Sequence, residues 1–412
     1  MRHPSSDLPI LVIGGGVAGM QAALDLANAG EQVVLAEKEA HLGGQVMRLD
    51  KVYPTDHCAF CPTWTQARAC REHPRITVAT GTNVLALEAG NATKGESWHA
   101  TLRREALPVD PRECVFCGLC EAACPKKAIM GRAPDLPWDP SAPPVIHIDL
   151  SRCDHCNACA TVCPTKAIDF TRQAQEEQLE ARDCIVAGGF FEPRPAPAPE
   201  FGAHSHPDIL TAMAFETWSA ECNMRPGKAP PLPCCPSDGR PVRRLAFIQC
   251  AGARDRRELP YCAAVCCMHA AKHALWLKRR YPEMEVIIFY TDMRAPGKAQ
   301  EAYVQRARNA GVRFIRRRPG LLTPQQQGIA IRHEHGQDVA TTCVDLLVLN
   351  GGLVACPQPG DAKALSAQSC GFCREPADIA HSVIQAGHVA ARVYACGRPA
   401  ASDTQPVEVV AR

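Results

Sequence analysis

Two runs of closely spaced cysteines constrain this chain more than any other feature of its sequence. Each run has the form Cys-x2-Cys-x2-Cys-x3-Cys-Pro, and in both the proline is followed by x-Lys-Ala-Ile. The runs comprise Cys114, Cys117, Cys120 and Cys124, and then Cys153, Cys156, Cys159 and Cys163. The surrounding residues are rich in cysteine and proline, with only short apolar stretches. We therefore expect an inserted module with its own small core.

The spacing is that of the bacterial two-cluster ferredoxin, in which three neighbouring thiolates hold one [4Fe–4S] cubane and the fourth crosses to the other. We assign one cluster to Cys114, Cys117, Cys120 and Cys163. We assign the second cluster to Cys153, Cys156, Cys159 and Cys124. Zinc is the alternative metal, but a zinc site would rarely need four cysteines at this spacing in each run.

The overall composition agrees with cluster ligation. The chain has 24 Cys in 412 residues, and its N-terminus lacks the charged start and apolar run of a secretory signal. Disulfides are therefore a less suitable use for the thiols than metal or clusters. The formal net charge of +2 does not indicate a broad surface for nucleic-acid binding. No apolar run is long enough to span a bilayer. We expect a soluble, cytoplasmic protein, or one held at a membrane through a partner.

A glycine-rich turn near the N-terminus predicts a dinucleotide site. Gly14, Gly16 and Gly19 form G-x-G-x-x-G between an apolar strand and a helix, and Glu37 ends the next strand. The first glycine makes the tight turn, the second admits a pyrophosphate, and the third lets the helix pack on the strand. The helix N-terminus offers free N–H groups to the phosphates. Glu37 is placed to accept a hydrogen bond from a ribose hydroxyl. The alternative is a turn without a ligand.

Further segments favour FAD over NAD. Leu42-Gly43-Gly44-Gln45 resembles the second glycine pair of the FAD domain in the thioredoxin-reductase and glutathione-reductase group, where it lies against the pyrophosphate. Ala187-Gly188-Gly189 resembles the turn that returns to that site, with Gly188 in place of threonine. By the same resemblance, Val84 contacts the adenine. The flavin contacts predicted up to this point are Gly14, Gly16, Val17, Ala18, Gly19, Glu37, Lys38, Gly43, Gly44, Gln45, Val84, Ala187, Gly188 and Gly189.

A third set of cysteines occupies the place of a second dinucleotide loop. Cys250 ends a strand, and the other members are Cys262, Cys266 and Cys267. The segment between them is charged rather than glycine-rich, so it cannot admit a pyrophosphate. We interpret the set as a further iron–sulfur site, with zinc as the less favoured alternative. Lys272 follows on the same helix. It is either an ordinary surface lysine or a cation directed at the flavin ring, where it would tune the potential.

The remaining cysteines have weaker patterns. Cys58-x2-Cys61 lies where glutathione-reductase-like enzymes carry a redox dithiol, and Cys70 is a possible additional ligand. Cys370-x2-Cys373 lacks a second pair, so its role is open. The other cysteines are interpreted as packing residues or free thiols, namely Cys184, Cys222, Cys234, Cys235, Cys343, Cys356 and Cys396.

Most of the chain resembles the A subunit of heterodisulfide reductase. The resemblance rests on residues 11–44, Leu49 to Thr55, Ile248 to Asp255, Tyr261 to Met268 and Tyr290 to Ala295. The resemblance implies that the third cysteine set binds a [4Fe–4S] cluster beside the flavin, and that Lys272 lies near the flavin N5. It also implies that Asp378 and Ile379, in a late Pro-x-Asp-Ile turn, face the flavin.

The sequence also departs from that family. The chain starts directly at the flavin domain, a second C-terminal ferredoxin is missing, and Asn350-Gly351-Gly352 replaces the usual Ala-Thr-Gly. These departures put flavin-based electron bifurcation in doubt. In these features the chain resembles the flavoprotein A subunit of the quinone-interacting oxidoreductase complex, a relative of similar length.

Together these patterns predict an α/β protein with two Rossmann-type domains, like thioredoxin reductase, and an inserted two-cluster ferredoxin domain. The predicted division is 1–108 and 173–240 for the flavin domain with its linker, 109–172 for the ferredoxin domain, 241–342 for the second Rossmann-like domain, 343–398 for the last part of the flavin domain, and 399–412 for a flexible tail.

The predicted function is electron transfer between FAD and [4Fe–4S] clusters inside a complex. Expected partners are subunits like heterodisulfide reductase B and C, a hydrogenase-like subunit, or a membrane quinone-reactive subunit. The alternatives are a stand-alone disulfide reductase that uses Cys58 and Cys61, and a zinc-binding scaffold.

Overall fold

The computed structural model describes residues 8–39, 41–89, 97–106, 108–110, 113–115, 117–130, 147–150, 152–193, 206–223, 233–357, 359 and 368–396. The proline-rich stretches at 192–200 and 225–241 predict connections without regular structure, and residues 194–200 and 225–232 of them lie outside the described residues, as does the tail expected at 399–412. Within the described residues 233–241, the only strand pairing is an isolated bridge between Cys234 and Pro241.

The elements alternate between strands and helices in a pattern that favours parallel sheets. In the first part of the chain they are β1 (Ile10–Ile13), α1 (Val17–Asn28), β2 (Val33–Ala36), β3 (Lys51–Val52), β4 (His57–Cys58), α2 (Phe60–Glu72), β5 (Ile76–Ala79), β6 (Thr82–Ala89), β7 (Trp98–Arg104), α3 (Leu119–Ala123), β8 (Ile129–Met130), β9 (His147–Ile148), α4 (Ala158–Val162), β10 (Gln175–Ala181), β11 (Asp183–Val186) and β12 (Phe190–Phe191).

In the second part they are β13 (Ile209–Thr211), α5 (Ala212–Asn223), β14 (Arg244–Gln249), α6 (Cys266–Arg280), β15 (Glu285–Phe289), α7 (Gln300–Asn309), β16 (Arg313–Ile315), β17 (Leu321–Pro324), β18 (Ile329–His335), β19 (Asp338–Val344), β20 (Leu346–Asn350), β21 (Val354–Ala355) and α8 (Ile379–Cys396). Short 3-10 turns cover Gly44–Arg48 and Gly371–Cys373.

The first layered unit is built on a parallel sheet of order β11-β1-β2-β5. Its strands are apolar because both faces are covered. On one face, Met20 of α1, Ala67 of α2 and Val389 of α8 pack into one core with the sheet. On the other face lies the antiparallel sheet β10-β7-β6, through Leu102. The chain returns to this unit twice, since β11 and α8 come from distant parts of the sequence.

The second layered unit repeats the arrangement. Its parallel sheet has the order β13-β20-β14-β15-β16. Phe215 of α5, Met268 of α6 and Val304 of α7 pack on one face. The antiparallel sheet β17-β18-β19 packs on the other face, through Ile331. Two Rossmann-type units, as predicted from the sequence, therefore make up the body of the molecule.

The cysteine-rich module leaves the first unit between two neighbouring strands. β7 and β10 pair antiparallel, with Leu102 opposite Glu177, so the residues between them are inserted into a hairpin. Within the module, α3 and α4 pack together and β8 pairs with β9. Its small core includes Val109, Ile129 and Ile168.

Some sequence expectations differ from the structure. The sequence predicts a helix from about Tyr261 to Arg280. The observed helix begins at Cys266, because Ala264 has a positive φ of 63° and donates its N–H to Cys262 Sγ at 3.3 Å. The chain before α6 is therefore shaped around the thiols. Neither antiparallel three-stranded sheet was predicted, since strands such as β10 are largely exposed and polar. None of the helices in the described part of the chain has both the length and the apolar character needed to cross a bilayer.

Candidate functional site

The glycine-rich turn after β1 has the geometry of a phosphate cradle. Gly14 has a φ of 101°, and a Cβ there would lie 2.4 Å from the Ala187 carbonyl oxygen. A Cβ on Gly16 would meet nothing within 4 Å, so this glycine opens onto free space. Gly16 is also the N-cap of α1 and provides no side-chain hydrogen bond, which leaves the first N–H groups of α1 available to an anion.

The second glycine pair lies directly against the first. The Gly43 N–H donates to the Gly15 carbonyl at 2.8 Å, and Gly16 and Gly43 form a parallel bridge. A Cβ on Gly44 would lie 3.0 Å from Gly16 Cα. Two segments that are far apart in sequence therefore build one glycine-lined surface.

Almost all predicted flavin contacts line one cavity of about 520 Å³. This volume lies within the range of about 300–1,000 Å³ that is usual for small-molecule and cofactor sites. The predicted residues in its wall are Gly14, Gly16, Val17, Ala18, Glu37, Lys38, Gly43, Gly44, Gln45, Val84, Ala187, Gly188, Gly189, Asp378 and Ile379. Gly19 is the predicted contact that is not among the described lining residues. A Cβ on it would lie 1.8 Å from the Gly14 carbonyl oxygen, so it serves the packing of α1 against the turn.

Glu37 is buried in the wall of this cavity. Its carboxylate accepts the Gly15 N–H at 2.6 Å and the Glu39 N–H at 2.8 Å. Burial raises the pKa of Glu37, and these two hydrogen bonds partly offset that rise. A carboxylate accepts about four hydrogen bonds, so Glu37 can fix the glycine turn and still accept a hydroxyl from a ligand.

Several wall residues were not predicted from the sequence. Phe190 and Phe372 both line the cavity, and their ring centroids are 4.9 Å apart. Cys356 and Cys370, interpreted above as a packing residue and a residue of open role, also line it. Aromatic rings and cysteines in loops do not show from sequence which cavity they will line. No sequence pattern therefore marks these positions as flavin contacts.

The third cysteine set converges where β14 ends and α6 begins. Cys250 has a φ of 56°, which turns the chain sharply after β14. The buried Cys267 donates its Sγ–H to the Asp292 carbonyl at 3.7 Å. Burial raises the pKa of Cys267 to about 11, and repulsion from Cys250 and Cys262 adds to the rise. For Cys266, burial and then repulsion from the other three thiolates raise the pKa. Thiols in such surroundings need a cationic centre to be stable as thiolates.

The ferredoxin-like module groups its thiols as the crossed assignment requires. Four of the eight thiols surround one small cavity of about 20 Å³, namely Cys114, Cys117, Cys120 and Cys163. In the other half, burial raises the pKa of Cys159, and repulsion from Cys153 and Cys124 contributes. The Cys124 Sγ also accepts the Ala128 N–H at 3.3 Å. Cys124 and Cys163 therefore each lie with the opposite run.

The spacing of the sulfur atoms suits a large inorganic core. Among the described residues, which include all twelve predicted ligands, no three of these sulfur atoms lie within 4.8 Å of one another. A tetrahedral zinc ion with Zn–S distances of about 2.3 Å would hold its sulfurs about 3.8 Å apart. The cysteines of the described residues therefore do not form a preformed zinc site of that compactness.

Apolar contacts connect the third cysteine set to the flavin cavity. Phe190 and Phe372, which line the cavity, pack in one cluster with Cys266 and Ala263. Tyr53 lies at the same junction. Burial raises the pKa of Tyr53, and the negative charges of Asp378 and Cys266 raise it further. The cavity and the cysteine set thus share a wall of aromatic side chains.

Lys272 lies in a buried ion pair with Glu216. Its ammonium donates to both oxygens of Glu216, at 2.8 and 2.7 Å, and to the Lys51 carbonyl at 3.0 Å. Burial opposes ionisation of Glu216, but Lys272 and His273 hold its pKa well below the usual range. Lys272 is not among the described residues that line the flavin cavity. The ammonium therefore neutralises a buried carboxylate, and its position near the flavin N5 stays a prediction.

The remaining cysteine pairs differ from one another in exposure. Cys58 and Cys61 are exposed, and a hydrogen bond between them raises the pKa of Cys61. Cys70 lies apart from them in the core and donates to the Met20 carbonyl at 3.7 Å, so it does not join the pair as a ligand. Cys370 and Cys373 are both buried, and the Cys373 Sγ–H donates to the Cys370 carbonyl at 3.2 Å.

Comparison with known families agrees with this division of the chain. A family described as FAD dependent oxidoreductase matches residues 9–107. A family described as 4Fe-4S dicluster domain matches residues 113–168. The fold and site therefore define a flavin-dependent oxidoreductase with a dicluster iron–sulfur domain. The predicted cofactor types, FAD and [4Fe–4S] clusters, are confirmed.

The chain is a homologue of the A subunit of heterodisulfide reductase, as the sequence predicted. It is 35% identical to the second iron-sulfur A subunit of CoB–CoM heterodisulfide reductase from Methanopyrus kandleri, over 93% of this chain and 63% of the relative. It is 33% identical to the corresponding iron-sulfur A subunit of Methanocaldococcus jannaschii, over 87% of this chain and 55% of the relative. The chain therefore spans only part of the length of these relatives.

A solved structure confirms the predicted fold class. Thioredoxin reductase of Lactococcus lactis matches with a TM-score of 0.51 and 13% identity, over 95% of this chain and 99% of that chain. At this identity the similarity concerns the fold alone. It agrees with the two layered units described above.

Proposed function

We propose that this chain is an electron-transfer subunit of a multi-subunit oxidoreductase related to heterodisulfide reductase. The observation that carries the proposal is the shared aromatic wall, in which Phe190 and Phe372 line the flavin cavity and pack with Cys266. A cluster at the third cysteine set would then lie next to the flavin. The chain spans only part of its relatives, so the activity of the whole complex is itself part of this proposal.

The residues that would hold each cofactor follow from the geometry. The glycine turn, Glu37 and the aromatic wall would hold FAD, and the three cysteine sets would hold one [4Fe–4S] cluster each. Bound FAD supplies exchange of two electrons, whereas each cluster supplies exchange of one. The protein would orient these groups and keep water from the shared wall, and the ferredoxin-like module would pass electrons to a partner subunit.

Co-purification from the native source tests the proposal most directly. We expect the chain to be isolated with further subunits, with bound FAD and with about four iron atoms for each of three clusters. Partners like heterodisulfide reductase B and C, a hydrogenase, or a quinone-reactive membrane subunit would each indicate a different pathway. A chain that is isolated alone, with stoichiometric zinc and almost no iron, would indicate the zinc scaffold instead.

Paired double substitutions test the crossed assignment of the ferredoxin-like clusters. Cys114→Ala with Cys163→Ala removes two proposed ligands of one cluster, so we expect the loss of about four iron atoms. Cys114→Ala with Cys124→Ala removes one ligand from each cluster, so we expect the loss of about eight. Iron counting on anaerobically purified protein distinguishes them. Equal losses in the two variants would contradict the crossed assignment.

The exposed pair of Cys58 and Cys61 supports a second candidate function, a stand-alone disulfide reductase. That function requires NAD(P)H oxidation by the isolated chain, and its loss in Cys58→Ser without loss of iron. Under the main proposal, we expect Cys58→Ser to keep FAD, iron and dye-linked electron transfer at the level of the unmodified protein. Cys343→Ser, which also removes an exposed thiol, is the control.

A further inference from the structure

A buried polar cluster lies between α5 and α6, apart from the three cysteine sets. It contains Glu216 from α5, and His269 and His273 from α6. We propose that these three side chains form a binding site for a divalent transition-metal ion. This site is additional to the flavin and iron–sulfur sites, and the proposal does not depend on the electron-transfer function.

The three side chains have the positions that a mononuclear site requires. His269 and His273 are four residues apart, so they share one face of α6. Their Nε2 atoms lie 2.9 and 2.6 Å from the same oxygen of Glu216, Oε2. One ligand atom from each residue lies within 4.8 Å of the other two. Among the described residues, this is the one group of histidine, cysteine and acidic side chains that is so compact.

Glu216 is the point at which four hydrogen-bond donors converge. Oε1 receives Lys272 Nζ at 2.8 Å and the Asp50 N–H at 2.9 Å. Oε2 receives both imidazoles and a second contact from Lys272 Nζ at 2.7 Å. These contacts come from four groups, because Lys272 reaches both oxygens, and they use the about four lone-pair sites of the carboxylate. If either imidazole nitrogen is unprotonated, its lone pair faces an anionic oxygen at a repulsive distance.

A metal ion can take the place of both imidazole donors. If both Nε2 atoms coordinate a cation together with Oε2, two N–H donors are replaced by one centre that accepts all three lone pairs. Lys272 would give up its contact with Oε2 and, like the Asp50 N–H, would keep its contact with Oε1. There both groups would orient the carboxylate, as outer hydrogen bonds commonly do in metal sites.

The ligand set and the adjoining cavity indicate the class of ion. Two imidazoles and one carboxylate are typical of catalytic zinc sites and of non-haem Fe(II) sites. Glu216 and His273 also line a cavity of about 280 Å³, together with Ser219 and Trp276. The cavity leaves room for water or a small oxygen ligand to complete the coordination. We therefore expect the site to take Zn²⁺ or Fe²⁺ rather than Mg²⁺ or Ca²⁺, which prefer oxygen ligands.

Zinc titration of the holoprotein tests the site. The protein is isolated anaerobically with its FAD and clusters, equilibrated with Zn²⁺, dialysed and analysed for zinc. We expect the unmodified protein to retain one zinc per chain more than His269→Gln with His273→Gln. The control is His335→Gln with His388→Gln, which removes the same number of imidazoles from exposed positions and is expected to retain zinc like the unmodified protein. Equal zinc in all three proteins would overturn the proposal.

X-ray absorption at the zinc edge gives a second readout that needs no variant. The expected spectrum of the protein with one equivalent of zinc has only nitrogen and oxygen neighbours, with the multiple scattering of two imidazoles. A shell of sulfur at about 2.3 Å would place the ion on cysteines and would overturn the proposal, even if the double variant failed to fold. Equal FAD content in variant and control excludes a general loss of structure.

Discussion

Replacing Cys262 with alanine is expected to remove one complete cluster, and hence about four iron atoms per chain, while the FAD content stays unchanged. Cys262 lies in the loop before α6, and its thiol is one of four that converge there. With three thiolates, one corner of the cubane is left without its cysteine ligand. Iron and FAD counts on anaerobically purified protein check the result, and the remaining clusters are checked by their spectra.

Cys235→Ala is the matched control for this experiment. Cys235 is a buried thiol in the same layered unit, where it donates to the Asp345 carbonyl at 3.7 Å and touches none of the proposed clusters. We expect its replacement to leave the iron content unchanged. An unchanged iron content in Cys262→Ala, or an equal loss in both variants, would contradict the third cluster. In Cys262→Ala, electrons supplied to the flavin should also fail to reach the ferredoxin-like clusters at the normal rate.

The second large effect is expected when either of two glycines in the same turn is replaced by alanine. The two replacements should have different consequences. In Gly14→Ala, the new Cβ lies 2.4 Å from the Ala187 carbonyl oxygen and the φ is 101°. The positive φ costs about 1–2 kcal/mol and the clash about 1–3 kcal/mol more. We expect the midpoint of thermal unfolding of the apoprotein to fall by several degrees, and FAD binding to be lost with the turn.

Gly16→Ala is expected to fold normally and still bind FAD poorly. Its Cβ meets no protein atom within 4 Å and projects into the free space beside the N-terminus of α1. That space is where the pyrophosphate has to approach the backbone. We expect at least about tenfold weaker FAD binding, or about 1.4 kcal/mol, with an unchanged unfolding midpoint of the apoprotein. Fluorescence titration of FAD measures the binding.

Gly320→Ala serves as the control, because its Cβ also meets nothing within 4 Å but lies in the second layered unit. It should change neither FAD binding nor the unfolding midpoint. Normal FAD affinity in Gly16→Ala would show that the pyrophosphate does not lie at this turn. A stable apoprotein of Gly14→Ala would contradict the close approach of Gly14 to Ala187.

The chemistry of the cofactors was accessible from the sequence because their ligands repeat at short intervals. A cubane needs thiolates that a short loop can bring together, so the spacing from Cys114 to Cys124 carries most of the information. The glycine turn is likewise local, since Gly14, Gly16 and Gly19 lie on one strand–helix junction. The helix predicted after the glycine turn and the strand predicted before Cys250 are both present, as α1 and β14.

Contacts between distant segments were not accessible in the same way. Phe190 and Phe372 meet only because β12 and the turn before α8 return to the first layered unit. The resemblance implies a place for Lys272 near the flavin, but only the structure shows that its ammonium pairs with Glu216, which lies 56 positions earlier. The His269-x3-His273 spacing is visible in the sequence, but without Glu216 nothing distinguishes it from two ordinary helical histidines.

The sequence by itself therefore determined which cofactors this protein is built to hold, because each ligand set is encoded within a few turns of chain. Only the tertiary structure decided which of these sites are neighbours and which partner each buried charge receives. The physical reason is that a buried charge or ring takes whatever group packing brings against it. Packing joins residues such as Glu216 and Lys272 with no regard to their separation along the chain.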